Sequence, residues 1–191
     1  LVQNKRLADY NKIIISSDKD FYQLCDDKTI IYRPTQKEVL NKNSIVDQFG
    51  IHPNNFALAR AIAGDPSDNL KGVPGAGLKT ISKRFSFMCE EKDYLIEDIV
   101  RHCEGVEKPL LVHKRIIENV DKIKQNYRLM QLYSPSLSPI VKSQVNYILE
   151  NTEAELNLTE FRKMMMSDGF GEWDNTDLII AMRKIVASLG K

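Results

Sequence analysis

The sequence predicts an α/β unit that gives way to a mostly helical region, and three observations predict it. "KIIIS" (Lys12–Ser16) is an apolar, β-branched run of the kind that forms a buried, parallel strand. "TIIYRP" (Thr29–Pro34) is a second strand, closed by its proline. From Asn43 onward, most apolar residues recur at helical spacing.

The elements follow in order. "LVQNKRLADY" reads as the tail of an amphipathic helix, with no capping residue before it, feeding straight into the first strand. That is the middle of an α/β unit, so the chain is expected to be the C-terminal portion of a larger protein. "NSIVDQFG" (Asn43–Gly50) is a short helix stopped by glycine. "HPNNFALARAIAG" is a clearer helix, with Pro53 at its first position and Gly64 at its end. A further helix starts near Gly77, "YLIEDIVRHCEG" is another, and "LLVHKRIIENVDKIKQNYRLMQL" reads as one long helix. "YSPSLSPIV" carries two prolines and reads as a loop or edge segment. The last helix is "NTDLIIAMRKIVASLG", with Leu178, Met182, Ile185 and Leu189 on one face and Gly190 as its stop. "KMMMS" (Lys163–Ser167) reads as core filler at a helix end, and Trp173 as a packing residue.

Composition excludes several classes. The 191 residues are 42% hydrophobic and 28% charged, values typical of a globular protein. No apolar run approaches the roughly 20 residues of a membrane span, and no signal peptide opens the sequence. Cys25, Cys89 and Cys103 are odd in number and lack a C-x-x-C, which points to reduced thiols in a cytosol-like compartment. Cys89, His102, Cys103 and His113 fit no usual zinc spacing. The net charge is only +1, but it is unevenly spread. Residues 69–89 hold Lys71, Lys79, Lys83 and Arg84 without an acid, and residues 108–128 are also rich in Lys and Arg. Such stretches suggest one face that meets a polyanion.

Two constellations carry chemistry. In "SSDKDFYQL", Asp18 and Asp20 follow the first strand, where open α/β sheets bind ligands. Asp65 and Asp68 follow Gly64, making four acids that a fold could gather at one rim. Left unpaired they would repel, and hard divalent cations such as Mg²⁺ or Mn²⁺ remove that cost. Alternatively, each pair is a solvated turn or helix cap. The second constellation is "KGVPGAGLKT", which has the form of a helix-hairpin-helix turn. Gly72, Gly75 and Gly77 allow positive φ and close backbone approach, and Lys71 and Lys79 flank a helix start suited to phosphate. It does not match the Walker A loop, because Leu78 precedes Lys79.

"SSDKDFYQL", followed some forty residues later by "AIAGDPSDNLKGVPGAGLKT", resembles the 5′-nuclease superfamily of flap endonucleases, DNA polymerase I 5′–3′ exonuclease domains and phage RNase H enzymes. The likeness continues more weakly through "NYRLMQLYSPS". It implies part of a PIN-like 5′-nuclease core with parallel strands, then a mostly helical region with a helix-hairpin-helix DNA-binding motif. By the resemblance, Asp18, Asp20, Asp65 and Asp68 are catalytic metal ligands for two Mg²⁺ ions, with Mn²⁺ as a substitute. Asn69 supports the aspartate turn. Lys71, Gly72, Val73, Gly75, Gly77, Lys79, Thr80 and Lys83 would bind DNA, with K⁺ at the hairpin carbonyls. The implied activity is phosphodiester hydrolysis on a 5′ flap, nick or RNA-primed duplex. The implied setting is a bacterial cytosol or phage-infected cell, as a monomer, with a clamp or single-strand-binding protein as partner.

The family's first-strand aspartate, basic arch and E-A-D-D-type acidic cluster are absent from this sequence. The expectation is therefore half an active site, and an isolated chain that binds DNA without cutting it. Residues 1–70 are expected to be the C-terminal half of the nuclease core. Residues 71–140 are expected to be the DNA-binding region, and 141–191 a C-terminal helical region. Two rival readings are a non-catalytic duplex-DNA-binding module and a metal-dependent RNase of PIN-like fold.

Overall fold

A computed structural model describes residues 2–133, 137–151, 157–170, 174 and 176–189. The chain forms two compact units, Leu1–Pro135 and Ser136–Lys191.

The first unit is α/β, with a small mixed sheet and a mostly helical remainder. Strand β1 (Lys12–Ile15) pairs in parallel with β2 (Thr29–Arg33), and β3 (Glu38–Leu40) adds antiparallel to β2. The strand at Lys12 is parallel as expected, but it is not buried. Ile13 and Ile15 are 63% and 71% exposed, because β1 is an edge strand and only one face of the sheet is packed. Ile31 and Leu40, on the packed face, are fully buried. The stretch before β1 is a single 3₁₀ turn, Lys5–Leu7, with no buried residue, in place of an amphipathic helix.

Helices α1 (Lys42–Phe49) and α2 (Pro53–Ala63) form where glycine stops and proline starts predicted them. Asn41 and Ser44 close a reciprocal capping box on α1, and Gly50 ends it at φ +65. Pro53 opens α2, whose N-cap is His52. Eight of the eleven α2 residues are buried, which makes this helix the axis of the core. Around it pack α3 (Leu78–Arg84), α4 (Ile96–Gly105), α5 (Leu111–Glu118) and α6 (Val120–Met130). The long helix expected over Leu110–Leu132 is thus two helices. Asn119, at φ −114 and ψ 21, leaves the helical path and donates its side-chain amide back to the Arg115 carbonyl at 2.7 Å.

Polar side chains fix the packing of these elements. Asn55 is fully buried and donates to the carbonyls of Met88, Glu90 and Lys92 while accepting from the Tyr94 amide. It fastens the loop after α3 to α2.

The second unit holds α7 (Pro139–Asn151), α8 (Leu158–Ser167) and α9 (Thr176–Leu189). Pro139 opens a helix where a loop or edge segment was expected, since proline suits a first helical turn. Residues 134–136, Trp173 and Gly190 lie outside the described residues. Met164 and Met166 are exposed, so the methionine run is not core filler. On α9 the buried residue among those described is Ile179, while Leu178 on the expected face is exposed. No helix among the described residues is long and apolar enough to cross a membrane.

Candidate metal centre and nucleic-acid interface

The carboxylates sit where the two sheets end. Past the carboxyl end of β1, the chain turns into a 3₁₀ stretch, Lys19–Leu24. Asp18 caps it by accepting from the Asp20 amide at 2.9 Å, and its own amide donates to Ser16 Oγ at 3.1 Å. Gln23 then anchors the turn. Its amide nitrogen donates to the carbonyls of Asp20 and Met130, and its oxygen accepts from the Leu132 amide. One buried side chain thereby sets the distance between the Asp20 turn and the end of α6.

Asp65 follows Gly64 at the end of α2, in the small hairpin formed by β4 (Gly64–Asp65) and β5 (Leu70–Lys71). A side chain at Gly64 or Gly72 would run into the backbone of the other strand, so only glycine lets these strands meet. Asp65 Oδ1 accepts from the Ser67 amide at 2.9 Å and the Ser67 hydroxyl at 2.5 Å. Asn69 takes the left-handed position of the turn at φ +57, and its amide donates to the Pro66 carbonyl at 3.2 Å.

Three of the four predicted carboxylates converge. One oxygen each from Asp20, Asp65 and Asp68 lie within 4.8 Å of one another, the donor set a hard divalent ion takes. Asp18 is outside this group and serves as the helix cap. Asp65 is buried, Asp20 half-buried and Asp68 exposed, so the cluster opens to solvent on the Asp68 side.

A fourth charge, absent from the sequence-based site, lies among them. Arg60 on α2 donates from Nε (3.1 Å) and Nη2 (3.0 Å) to Asp20 Oδ1, and from Nη2 to Asp65 Oδ2. Its side chain is only 11% exposed. The one signal in the sequence was that Arg60 is the sole charged residue of an otherwise uncharged helix. Burial pushes the Asp20 carboxyl above its ordinary range, against the pull of Arg60. The Ser67 hydroxyl, with its amide and Arg60, holds Asp65 below that range. Burial opposes the charge of Arg60 as well, but Asp20 and Asp65 outweigh it and raise its pKa.

The glycine stretch forms a turn pinned from three sides. The Val73 amide donates to the Ile62 carbonyl at 2.8 Å, and Gly77 caps α3. Arg115 on α5 donates to the Pro74 carbonyl at 3.1 Å, and Lys122 on α6 to that of Gly72 at 3.4 Å. Asn126 on α6 donates to the carbonyls of Ala61 and Lys71, joining α2 and β5. Sequence reasoning had missed these three side chains, which lie at least 41 residues from their acceptors. Gly75 is at φ +84, where a side chain is strained. Lys71, Gly75, Gly77, Lys79 and Lys83 are exposed, and Gly72 and Thr80 half-buried. Val73 is buried, with its amide on the Ile62 carbonyl and its carbonyl accepting from the Ala76 amide. Beside the turn, an open groove of about 780 Å³ is lined by Gln48, Gly50, Gly77, Lys79, Thr80 and Ser82, among others.

The remaining candidates resolve as structure. Cys25 and Cys103 are buried thiols pushed up to about 12 and about 11 by burial. Phe85 is fully buried in the core. His113 is buried with Nε2 unpartnered, against Phe85 and His102. No zinc-type grouping of His102, His113, Cys89 and Cys103 occurs among the described residues.

No family model matches the chain. Among curated proteins, the 5′-3′ exonuclease of Buchnera aphidicola subsp. Schizaphis graminum is 30% identical over 155 residues, covering 80% of this chain and 50% of that protein. The chain is similar to proteins of the 5′-nuclease family. A second member, the thermostable DNA polymerase I of Thermus thermophilus, is 29% identical over 123 residues, which are 64% of this chain and 14% of the polymerase. Among solved structures, a mutant of the phage T5 5′-exonuclease shares the fold. Its TM-score is 0.57 at 20% identity, over 72% of this chain and 57% of that one. Another T5 structure, solved with bound zinc, matches at TM-score 0.51 and 21% identity over 62% of this chain and 42% of its own. The chain thus spans half the length of the Buchnera exonuclease and a smaller part of the polymerase. The three converging carboxylates and the pinned glycine turn lie within the two sequence stretches that carry the resemblance.

Proposed function

We propose that this chain is the ion-holding and DNA-gripping portion of a 5′–3′ exonuclease or flap endonuclease. The observation that carries the reading is the convergence of Asp20, Asp65 and Asp68, with Asp65 and Asp68 only a few residues before the rigid glycine turn. The three carboxylates fit a divalent ion by donor type and spacing, and Mg²⁺ or Mn²⁺ is the ion they suit. Bound there, such an ion would supply Lewis-acid stabilisation and activation of water for phosphodiester hydrolysis. Asp18 contributes by capping the turn that presents Asp20. A second ion would require acids beyond those that converge in this chain.

The turn's role is to hold one DNA strand by its backbone. Lys71, Lys79, Thr80 and Lys83 supply phosphate contacts, and Gly72, Val73, Gly75 and Gly77 let the strand approach the main chain. Duplex or branched DNA with a 5′ flap, nick or RNA primer is the substrate class, in replication or repair. K⁺ fits less well, because the Gly72 and Pro74 carbonyls already accept from Lys122 and Arg115; no step is assigned to it. We assign the ion-holding work to residues 1–70 and the gripping work to 71–140, with 141–191 a separate helical region. A monomer acting in a bacterial cytosol or phage-infected cell, alongside a clamp or single-strand-binding protein, is consistent with this role. Arg60, which already pairs with two of the carboxylates, favours a second reading in which the chain binds duplex without cutting it.

Two measurements test the reading. Asp68→Asn is expected to weaken Mn²⁺ binding by about tenfold or more, and unchanged affinity would remove the ion site. Duplex affinity, followed by fluorescence anisotropy, is expected to fall steeply with salt. Lys79→Ala should flatten the salt slope by about one unit; a salt-independent affinity would exclude the turn as a backbone grip.

A further inference from the structure

The guanidinium of Arg60 occupies the point where the fields of two proposed ligands add. Nη2 bonds both Asp20 Oδ1 and Asp65 Oδ2, and Nε bonds Asp20 Oδ1 a second time. Two lone-pair directions of Asp20 Oδ1 are therefore spent on Arg60. On Asp65, Oδ1 accepts twice from Ser67 and Oδ2 accepts from Arg60, so both oxygens are already engaged. The carboxylates come from the Lys19–Leu24 turn and the β4–β5 hairpin, and Arg60 is the only side chain that hydrogen-bonds both among the described residues. A guanidinium this deeply placed cannot drift away into solvent without leaving two facing carboxylates uncompensated. A divalent ion placed between the same two oxygens would overlap Nη2, and it would also repel the guanidinium charge.

Resting on the metal-site reading above, we propose that Arg60 is the resident cation of the carboxylate cluster, which a divalent ion must displace from between Asp20 and Asp65 in order to bind. Before the ion arrives, Arg60 keeps the two carboxylates facing each other. It thereby sets the concentration of divalent ion at which the site fills. Asp68, exposed and accepting no hydrogen bond from Arg60, is the ligand the incoming ion meets first.

The test is Mn²⁺ binding to the full chain, read by electron paramagnetic resonance of free Mn²⁺, with thermal melts alongside. Arg60→Gln is expected to bind Mn²⁺ about tenfold or more tightly than the wild type, because a competing charge a few ångströms away is gone. Arg60→Lys, which keeps a cation there, should track the wild type. Added Mn²⁺ should raise the melting temperature of Arg60→Gln more than that of the wild type. If Arg60→Gln is unfolded without the ion, Mn²⁺ must restore its fold, and failure to do so would overturn the proposal. Equal affinity would overturn it too, and weaker binding by Arg60→Gln would make Arg60 a clamp the ion needs. If neither protein binds Mn²⁺, and Asp68→Asn changes nothing, the metal site itself is wrong. That outcome is separable from a wild type that binds with Arg60 playing no part.

Discussion

Single side chains decide most of what this molecule can do. Arg60, Gln23, Asn55 and Asn126 each satisfy several backbone or carboxylate groups from a buried or nearly buried position, and each ties elements far apart in sequence. His113 is different, because its Nε2 has no partner and it faces His102 and Arg84. Burial, helped by electrostatic repulsion from His102 and Arg84, holds its pKa below the ordinary 6.5. Above pH 6.5 the ring is neutral in both folded and unfolded chains, and the full stability is present. As pH falls through 6.5, the unfolded chain takes up a proton that the folded one resists, so stability declines toward the depressed folded pKa. His52, also lowered by burial, adds a contribution of the same sign. In melts between pH 8 and 5, His113→Phe should lose less stability than the wild type on acidification. An equal loss would assign the acid sensitivity to other groups.

At the scale of elements, the glycine turn shows how differently three glycines are used. Gly72 lies so close to Ala63 and Gly64 that a Cβ would overlap their backbone. Gly72→Ala is expected to cost about 3 kcal/mol in urea denaturation, since backbone on both sides must shift. Gly75 has room but sits at φ +84, so Gly75→Ala should cost about 1 kcal/mol. Gly77 has ordinary dihedrals and open space around it, and Gly77→Ala should change stability by less than about 0.5 kcal/mol. A weakened DNA grip in Gly77→Ala at unchanged stability would mark this glycine as a place of close strand approach. The sequence showed three glycines in one pattern, and the surrounding backbone separates their roles.

At the scale of the whole molecule, the core runs from Tyr22 to Met130 and lies within the first unit. In the second unit, Ile179 is the buried side chain among those described, and Ile140, Tyr147, Met166 and Phe170 are exposed. A chain ending at Pro135 should therefore melt within about 3 °C of the full chain and keep its Mn²⁺ affinity. A large loss of melting temperature would mean that the second unit contributes to the fold of the first. The exposed Ile13, Ile15 and Val39 form an apolar stripe on the open face of the sheet. Parallel strands usually bury both faces, and the "KIIIS" run was read that way, but composition alone cannot say whether a second layer is present.

Local physical chemistry made much of the protein legible in its sequence. Gly50, Pro53, Gly64 and Gly77 mark helix boundaries because backbone dihedrals and missing N–H groups act on neighbouring residues. The acids of "DKD" and "GDPSDN" were named through the resemblance that those two elements carry to the 5′-nuclease superfamily. The tertiary structure alone decided that Asp18 caps a turn while Asp20, Asp65 and Asp68 converge. It alone placed Arg60 between two of them, and Arg115, Lys122 and Asn126 on the glycine turn. Those contacts join residues 40 or more positions apart, except for Arg60 with Asp65. No periodicity or capping rule reaches that far; only the packing of α2 against α6 and the Asp20 turn brings such groups within hydrogen-bonding distance.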